Sequence, residues 1–131
     1  MRKFCLLLLL CLPTLLQAQV YRFKATSFSI TERLDNDSWS DWTPFEESTV
    51  VITLDGKKER IIIGSKEIQV FEIMEYAEKI ETDDDIIIGF RCANLDGARV
   101  EVDIVTRKKQ NNRKQIYVNY SDVRYVYNVY D

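Results

Sequence analysis

Ile86-Ile87-Ile88-Gly89-Phe90-Arg91-Cys92-Ala93-Asn94-Leu95-Asp96-Gly97-Ala98-Arg99-Val100-Glu101-Val102-Asp103-Ile104-Val105-Thr106 reads as two β-strands folded back on each other at Asp96-Gly97. On the second arm Val100, Val102 and Ile104 alternate with Arg99, Glu101 and Asp103. That period of two puts one set of side chains on a buried face and the other in water. Asp-Gly between two such runs is a strong hairpin signal, because a tight primed turn needs positive φ and glycine supplies it without strain. Cys92 is in phase with Ile86, Ile88 and Phe90 and reads as a small apolar side chain of the inner face. An intermolecular disulfide or a reactive thiol is the alternative.

Working outward, the same grammar recurs. Val20 to Ile30 is a strand with Tyr21, Phe23 and Ala25 on one face, and the apolar phase then moves to Phe28 and Ile30. A change of phase within one run predicts a bulge or a bend. Thr31 to Ser38 is a polar loop. Thr49 to Leu54 and Arg60 to Ile63 form a second hairpin around Asp55-Gly56. Gly64-Ser65-Lys66 is a further turn. Ile68 to Met74 reads as a strand, with Glu67, Gln69, Phe71 and Ile73 fitting one face. Ile73, Tyr76, Ala77 and Ile80 fit helical spacing instead, so a short helix can follow. Gln115 to Tyr120 and Val123 to Tyr130 complete about eight strands joined mostly by short turns. This pattern predicts a single all-β domain, an antiparallel up-and-down meander closing into a small barrel of lipocalin-like shape, with a β-sandwich as the alternative. Closure removes the unpaired edges that a sheet otherwise offers to other chains.

The first 18 residues do not belong to that domain. Arg2 and Lys3 precede an apolar run from Phe4 to Leu12, Pro13 breaks it, and Ala18 offers a small residue for cleavage. This is the pattern of a secretory signal peptide, and the run is short of the roughly 20 residues that cross a bilayer. The expected product is a 113-residue domain, 19–131, located in the periplasm or outside the cell, with no transmembrane anchor after cleavage. It keeps 16 basic residues against 21 acidic ones, a net charge of −5, which disfavours nucleic acid as a partner. Cys5 and Cys11 leave with the leader, so Cys92 has no internal disulfide partner.

Taken together, the leader, the Trp39-Ser40-Asp41-Trp42 stretch, the two Leu-Asp-Gly hairpins (54–56 and 95–97) and the strand Gln115-Ile116-Tyr117-Val118-Asn119-Tyr120 resemble small secreted proteins of unassigned function from Bacteroidota-type bacteria. The resemblance covers most of the mature chain. It implies a periplasmic or secreted all-β domain of bacterial origin and brings no catalytic residues with it.

The chain contains no histidine, so neither a Cys-His pair nor the usual transition-metal ligand set can be built. The acidic run Glu81 to Asp85 has oxygen ligands for a hard cation but no EF-hand spacing, and reads as a solvated connection. Acidic residues are many, yet no spacing singles out a glycosidase pair. The expectation is a non-enzymatic protein without a cofactor. The first functional expectation is a binding module for a small apolar or sugar ligand at an aromatic-lined barrel mouth. Trp39, Trp42 and Phe45 are its candidate residues, with the tyrosines at 117, 120, 125, 127 and 130 as further lining. The second is a protein-interaction or inhibitor domain acting through charged hairpin tips. Its candidates are Asp96-Gly97 and the basic loop, where Arg107, Lys108, Lys109, Arg113 and Lys114 put five positive charges in eight residues. A small hydrolase is the third.

Overall fold

A computed structural model describes residues 19–129. Residues 1–18, with Cys5 and Cys11, and Tyr130 and Asp131 lie outside the described residues. Nine strands follow one another: β1 (Val20–Glu32), β2 (Glu46–Asp55), β3 (Arg60–Gly64), β4 (Ile68–Tyr76), β5 (Ile80–Glu81), β6 (Asp85–Asn94), β7 (Arg99–Arg107), β8 (Arg113–Asn119) and β9 (Val123–Val129). Every pairing is antiparallel. The sheet runs β4-β3-β2-β1-β9-β8-β7-β6, and a β4–β6 pairing closes it into an eight-stranded barrel, with β5 as an extra strand on β6. The up-and-down barrel is the expected one, and the sandwich is set aside.

Period-two patterning decides what faces inward. Ala25, Val50, Ile52, Ile61, Ile63, Phe71, Ile73, Phe90, Cys92, Val100, Val102, Ile116, Val118 and Tyr127 form one buried cluster. Cys92 is core, and burial pushes its thiol up to about 12, which makes it a poor nucleophile.

The change of phase in β1 is a bulge. The register slips between Ala25 and Ser27 against both β2 and β9. Ala25 points inward, Ser27 outward and Phe28 inward again. Without the extra residue, Ser27, Ser29 and Thr31 would face the core, and Phe28 would face water.

A second bulge corrects the reading of residues 73–80. No helix forms there. The β4–β6 register slips between Ile73 and Glu75, which ejects Met74 and brings Tyr76 opposite Phe90, with rings 5.7 Å apart. The spacing Ile73, Tyr76 that imitates a helix is therefore a strand with one residue inserted.

The hairpin turns are longer than two residues. At the quoted stretch the loop is 95–98. Asn94 Oδ1 accepts hydrogen bonds from the Asp96 and Ala98 amides at 3.0 and 2.8 Å, and Gly97 takes φ 84°. Asp55 plays the same part for the amides of Lys57 and Lys58 at 3.1 and 3.0 Å, but there the positive φ falls on Glu59, at 52°. Side-chain acceptors, as much as glycine, shape both turns.

Candidate functional site

One end of the barrel gathers the C-terminal ends of β1, β3, β6 and β8 and the starts of β2, β4, β7 and β9. A cavity of about 390 Å³ opens there, and Phe28, Glu46, Val50, Gln69, Tyr125 and Tyr127 are among the residues that line it, with Lys66 at its rim. The placement follows from register. Phe28 stands opposite Glu46 on β2 and opposite Tyr127 on β9, and Ile30 stands opposite Tyr125. Glu46 and Ser48 continue inward the alternation of Val50, Ile52 and Leu54.

A chain of aromatic contacts runs around this end of the barrel. Phe28 and Tyr127 have ring centroids 6.3 Å apart, Tyr127 and Tyr125 6.5 Å, Tyr125 and Tyr120 6.3 Å, and Tyr120 and Phe71 6.2 Å. Burial, with smaller contributions from Tyr125 and Tyr120, pushes the Tyr127 hydroxyl up to about 12. It stays protonated and can donate a hydrogen bond at any physiological pH. Next to these rings Ile52, Ile63 and Ile116 are fully buried in the interior. The cavity is shallow, with a polar rim, aromatic walls and an apolar floor.

Trp39, Trp42 and Phe45, expected at the mouth, stand elsewhere. The segment 39–43 runs beside the end of β1: the Ser40 amide donates to the Glu32 carbonyl at 2.8 Å and the Thr43 amide to the Ile30 carbonyl at 2.9 Å. From there the indoles reach over the outer wall. Trp42 meets the edge of Tyr117 at 6.3 Å, and the Arg124 guanidinium lies 3.9 Å from the centre of the Trp39 ring. Tyr117, Val126 and Ser29 stand in one outward row across β8, β9 and β1. Val126 and Ser29 are buried in it although they face away from the core. The indoles thus build a small apolar layer on the outside of the barrel. Phe45 is 50 % exposed and does not line the cavity. The tyrosines divide in the same way, with 117 on the outer wall and 120, 125 and 127 inside. Sequence reasoning missed Glu46, Gln69 and Lys66. For Glu46 a signal existed, since 46 and 48 are in phase with 50, 52 and 54.

The two charged loops meet each other. Arg107 pairs with Asp85 at 2.9 Å, Lys108 with Glu81 at 2.9 Å, and Lys109 with Asp84 at 2.7 Å. Arg107 also donates to Gln115 Oε1 at 3.0 Å and to the Tyr117 hydroxyl at 2.9 Å. Burial works against its charge, but Asp85 and Tyr117 outweigh it and hold Arg107 above its ordinary value. Lys108 holds the exposed Glu81 carboxyl below its ordinary value. Arg113 donates to Asn128 Oδ1 at 2.6 Å and Lys114 to Thr106 Oγ1 at 3.4 Å. All five basic candidates therefore have partners within the barrel, at the end opposite the mouth. Left-handed Asn111 and Asn112, φ 56° and 58°, turn that loop.

A wider groove of about 650 Å³ follows the outer wall past Glu75, Arg91, Arg99, Glu101 and Asn119. Its charges answer each other along the strands, with Arg91 bonded to Glu75 at 3.1 Å and opposite Glu101. Beside it Asp103 packs against Gly89, where a Cβ would come within 2.8 Å of its carboxylate, and accepts from Asn119 at 3.3 Å. Burial, then Glu101 two residues away, pushes Asp103 up to about 6. In an unfolded chain the same group titrates near 3.9. The native state therefore binds this proton more tightly, and its stability falls as pH rises from about 4 to about 6. Asp103→Asn is expected to stabilise the protein at pH 7 by on the order of 1 kcal/mol after allowance for solvent screening, and to leave it nearly unchanged at pH 4. Thermal melts of both proteins at the two pH values check this. An equal difference at both would show that Asp103 carries no such penalty.

Comparison with protein-family profiles, with curated proteins and with solved structures gave no match to this chain.

Proposed function

We propose that the chain is an exported, non-enzymatic binding module, lipocalin-like in its manner of use, that takes one small ligand into the open end of its barrel. The observation that carries this reading is the cavity between Phe28, Tyr125, Tyr127 and Glu46. Its volume, about 390 Å³, lies within the range of ligand sites, and an apolar wall with a few placed polar groups is their usual make-up. The packing of Ile52, Ile63 and Ile116 next to it leaves room for a small molecule, apolar or sugar-like, and none for a long acyl chain. The leader pattern in residues 1–18 supports export. A role for the charged hairpin tips in holding a protein partner has less support, because the basic loop is already paired with 81–85.

The test is a thermal-shift screen of small polar, sugar and aromatic compounds on the chain from Gln19 onward, since a compound that binds only the native state raises Tm. Hits are expected to lose their shift in Tyr125→Ala and to keep it in Trp39→Ala. Hits that behave the other way round would move the site to the outer wall.

A further inference from the structure

We propose that the mouth recognises a small organic cation, a molecule bearing an ammonium or quaternary ammonium group. The proposal rests on the reading of the mouth as the binding site and adds the chemistry of the ligand. Phe28, Tyr125 and Tyr127 line the cavity with three aromatic rings, linked at 6.3 and 6.5 Å. Aromatic faces attract cations through their quadrupole, by about 2 kcal/mol or more when water is excluded. Glu46 stands directly across from Phe28 on the inner face, while Glu47, opposite the outward Ser27, borders the cavity from the outer side. Lys66 is the one basic residue in the lining. Among the described residues, Glu46, Glu47 and Lys66 make no side-chain hydrogen bond or ion pair. This contrasts with the opposite end, where every acid of the 81–85 loop that faces the basic tip has found a cation. An unanswered carboxyl group, Glu46, beside three aromatic rings favours positive charge in the cavity. Lys66 lies in the 65–67 turn, and the aromatic faces add their attraction for a cation to that of Glu46. An anionic ligand would be repelled by the Glu46 carboxylate.

The experiment compares choline with 3,3-dimethylbutan-1-ol, which has the same shape without the charge, by isothermal titration of the chain from Gln19 onward at constant ionic strength. Choline is expected to bind at least tenfold more tightly than the alcohol. Glu46→Gln is expected to weaken choline at least fivefold, and Lys66→Gln to tighten it. Both positions are at the rim, and unchanged melting curves confirm that the variants fold. Equal affinities for the two probes, lost together in Tyr125→Ala, would overturn cation recognition and leave the mouth standing as a site. Choline binding indifferent to Glu46→Gln and to Tyr125→Ala would overturn both. Failure of choline to bind would overturn the cation proposal, while the thermal-shift screen still decides whether the mouth is a site at all.

Discussion

Phe71→Ala is expected to cost about 3–5 kcal/mol of folding stability, a large part of the roughly 5–15 kcal/mol that holds a domain of this size. Phe71 is 0 % exposed. It lies opposite Ile61 on one side and Asn94 on the other, where β4 closes the barrel on β6. Its ring meets Tyr120 edge-on at 6.2 Å, and Tyr120 in turn meets Tyr125. Truncation removes the transfer energy of a whole ring and leaves a void that closed, hydrogen-bonded strands cannot collapse into. The aromatic contacts beside it lose their support as well. Phe71→Leu, which keeps most of the volume, is expected to cost far less. Denaturant titrations with a common slope measure both. A loss below 1 kcal/mol for the alanine variant would mean that the closure seam is not packed as described.

Trp42→Ala is expected to cost about 2 kcal/mol and to spare the mouth. The side chain is 44 % exposed, so only its buried part contributes. It covers a row that would otherwise be wet: Ser29 and Val126 point away from the core and are still buried. The Ser29 hydroxyl donates to the Thr43 carbonyl, and the Thr31 hydroxyl to that of Ser40. These bonds hold 39–43 against β1, and the indole packs edge-on against Tyr117 in the same outward row. Its loss both exposes Val126 and loosens the segment. Trp39→Ala is expected to cost at least as much, because Trp39 is less exposed than Trp42 and also carries the stacked Arg124 guanidinium. An unaltered melting temperature in Trp42→Ala would contradict the outer-wall layer. A loss of ligand response in that variant, with stability kept, would return the indoles to the site.

The alternation of residues 86–106 and its echoes along the chain were sufficient to lay out eight strands, their order and the inner face. Even the bulge in β1 was legible, because a strand has only two faces and Ala25 and Phe28 cannot share one without an extra residue. The second bulge was read as possible helix, since one inserted residue turns a spacing of two into three. The placement of the tryptophans was not legible. Aromatic content marks a surface that will be covered, but which face of β1 the 33–45 loop folds along depends on Ser29, Thr31, Ser40 and Thr43 meeting across the loop. The same applies to the two charged loops. Each looked like an exposed feature when read along the chain, and only the β6–β7 register, with Asp85 opposite Arg107, brings them together. The mouth was half legible. Tyr125 and Tyr127 share an inward face with Val129, whereas Glu46 precedes the apolar run that marked β2.

The claim on which the functional account stands is that a ligand enters between Phe28, Glu46 and Tyr125. Amide chemical shifts of the ¹⁵N-labelled chain from Gln19 onward, followed during a titration with choline against a sodium chloride control, test it most directly. The account predicts perturbations confined to Phe28, Glu46 to Ser48, Lys66 to Gln69 and Tyr125 to Tyr127. Perturbations centred on Trp39 and Trp42, or along Arg91 and Glu101 on the outer groove, would contradict it.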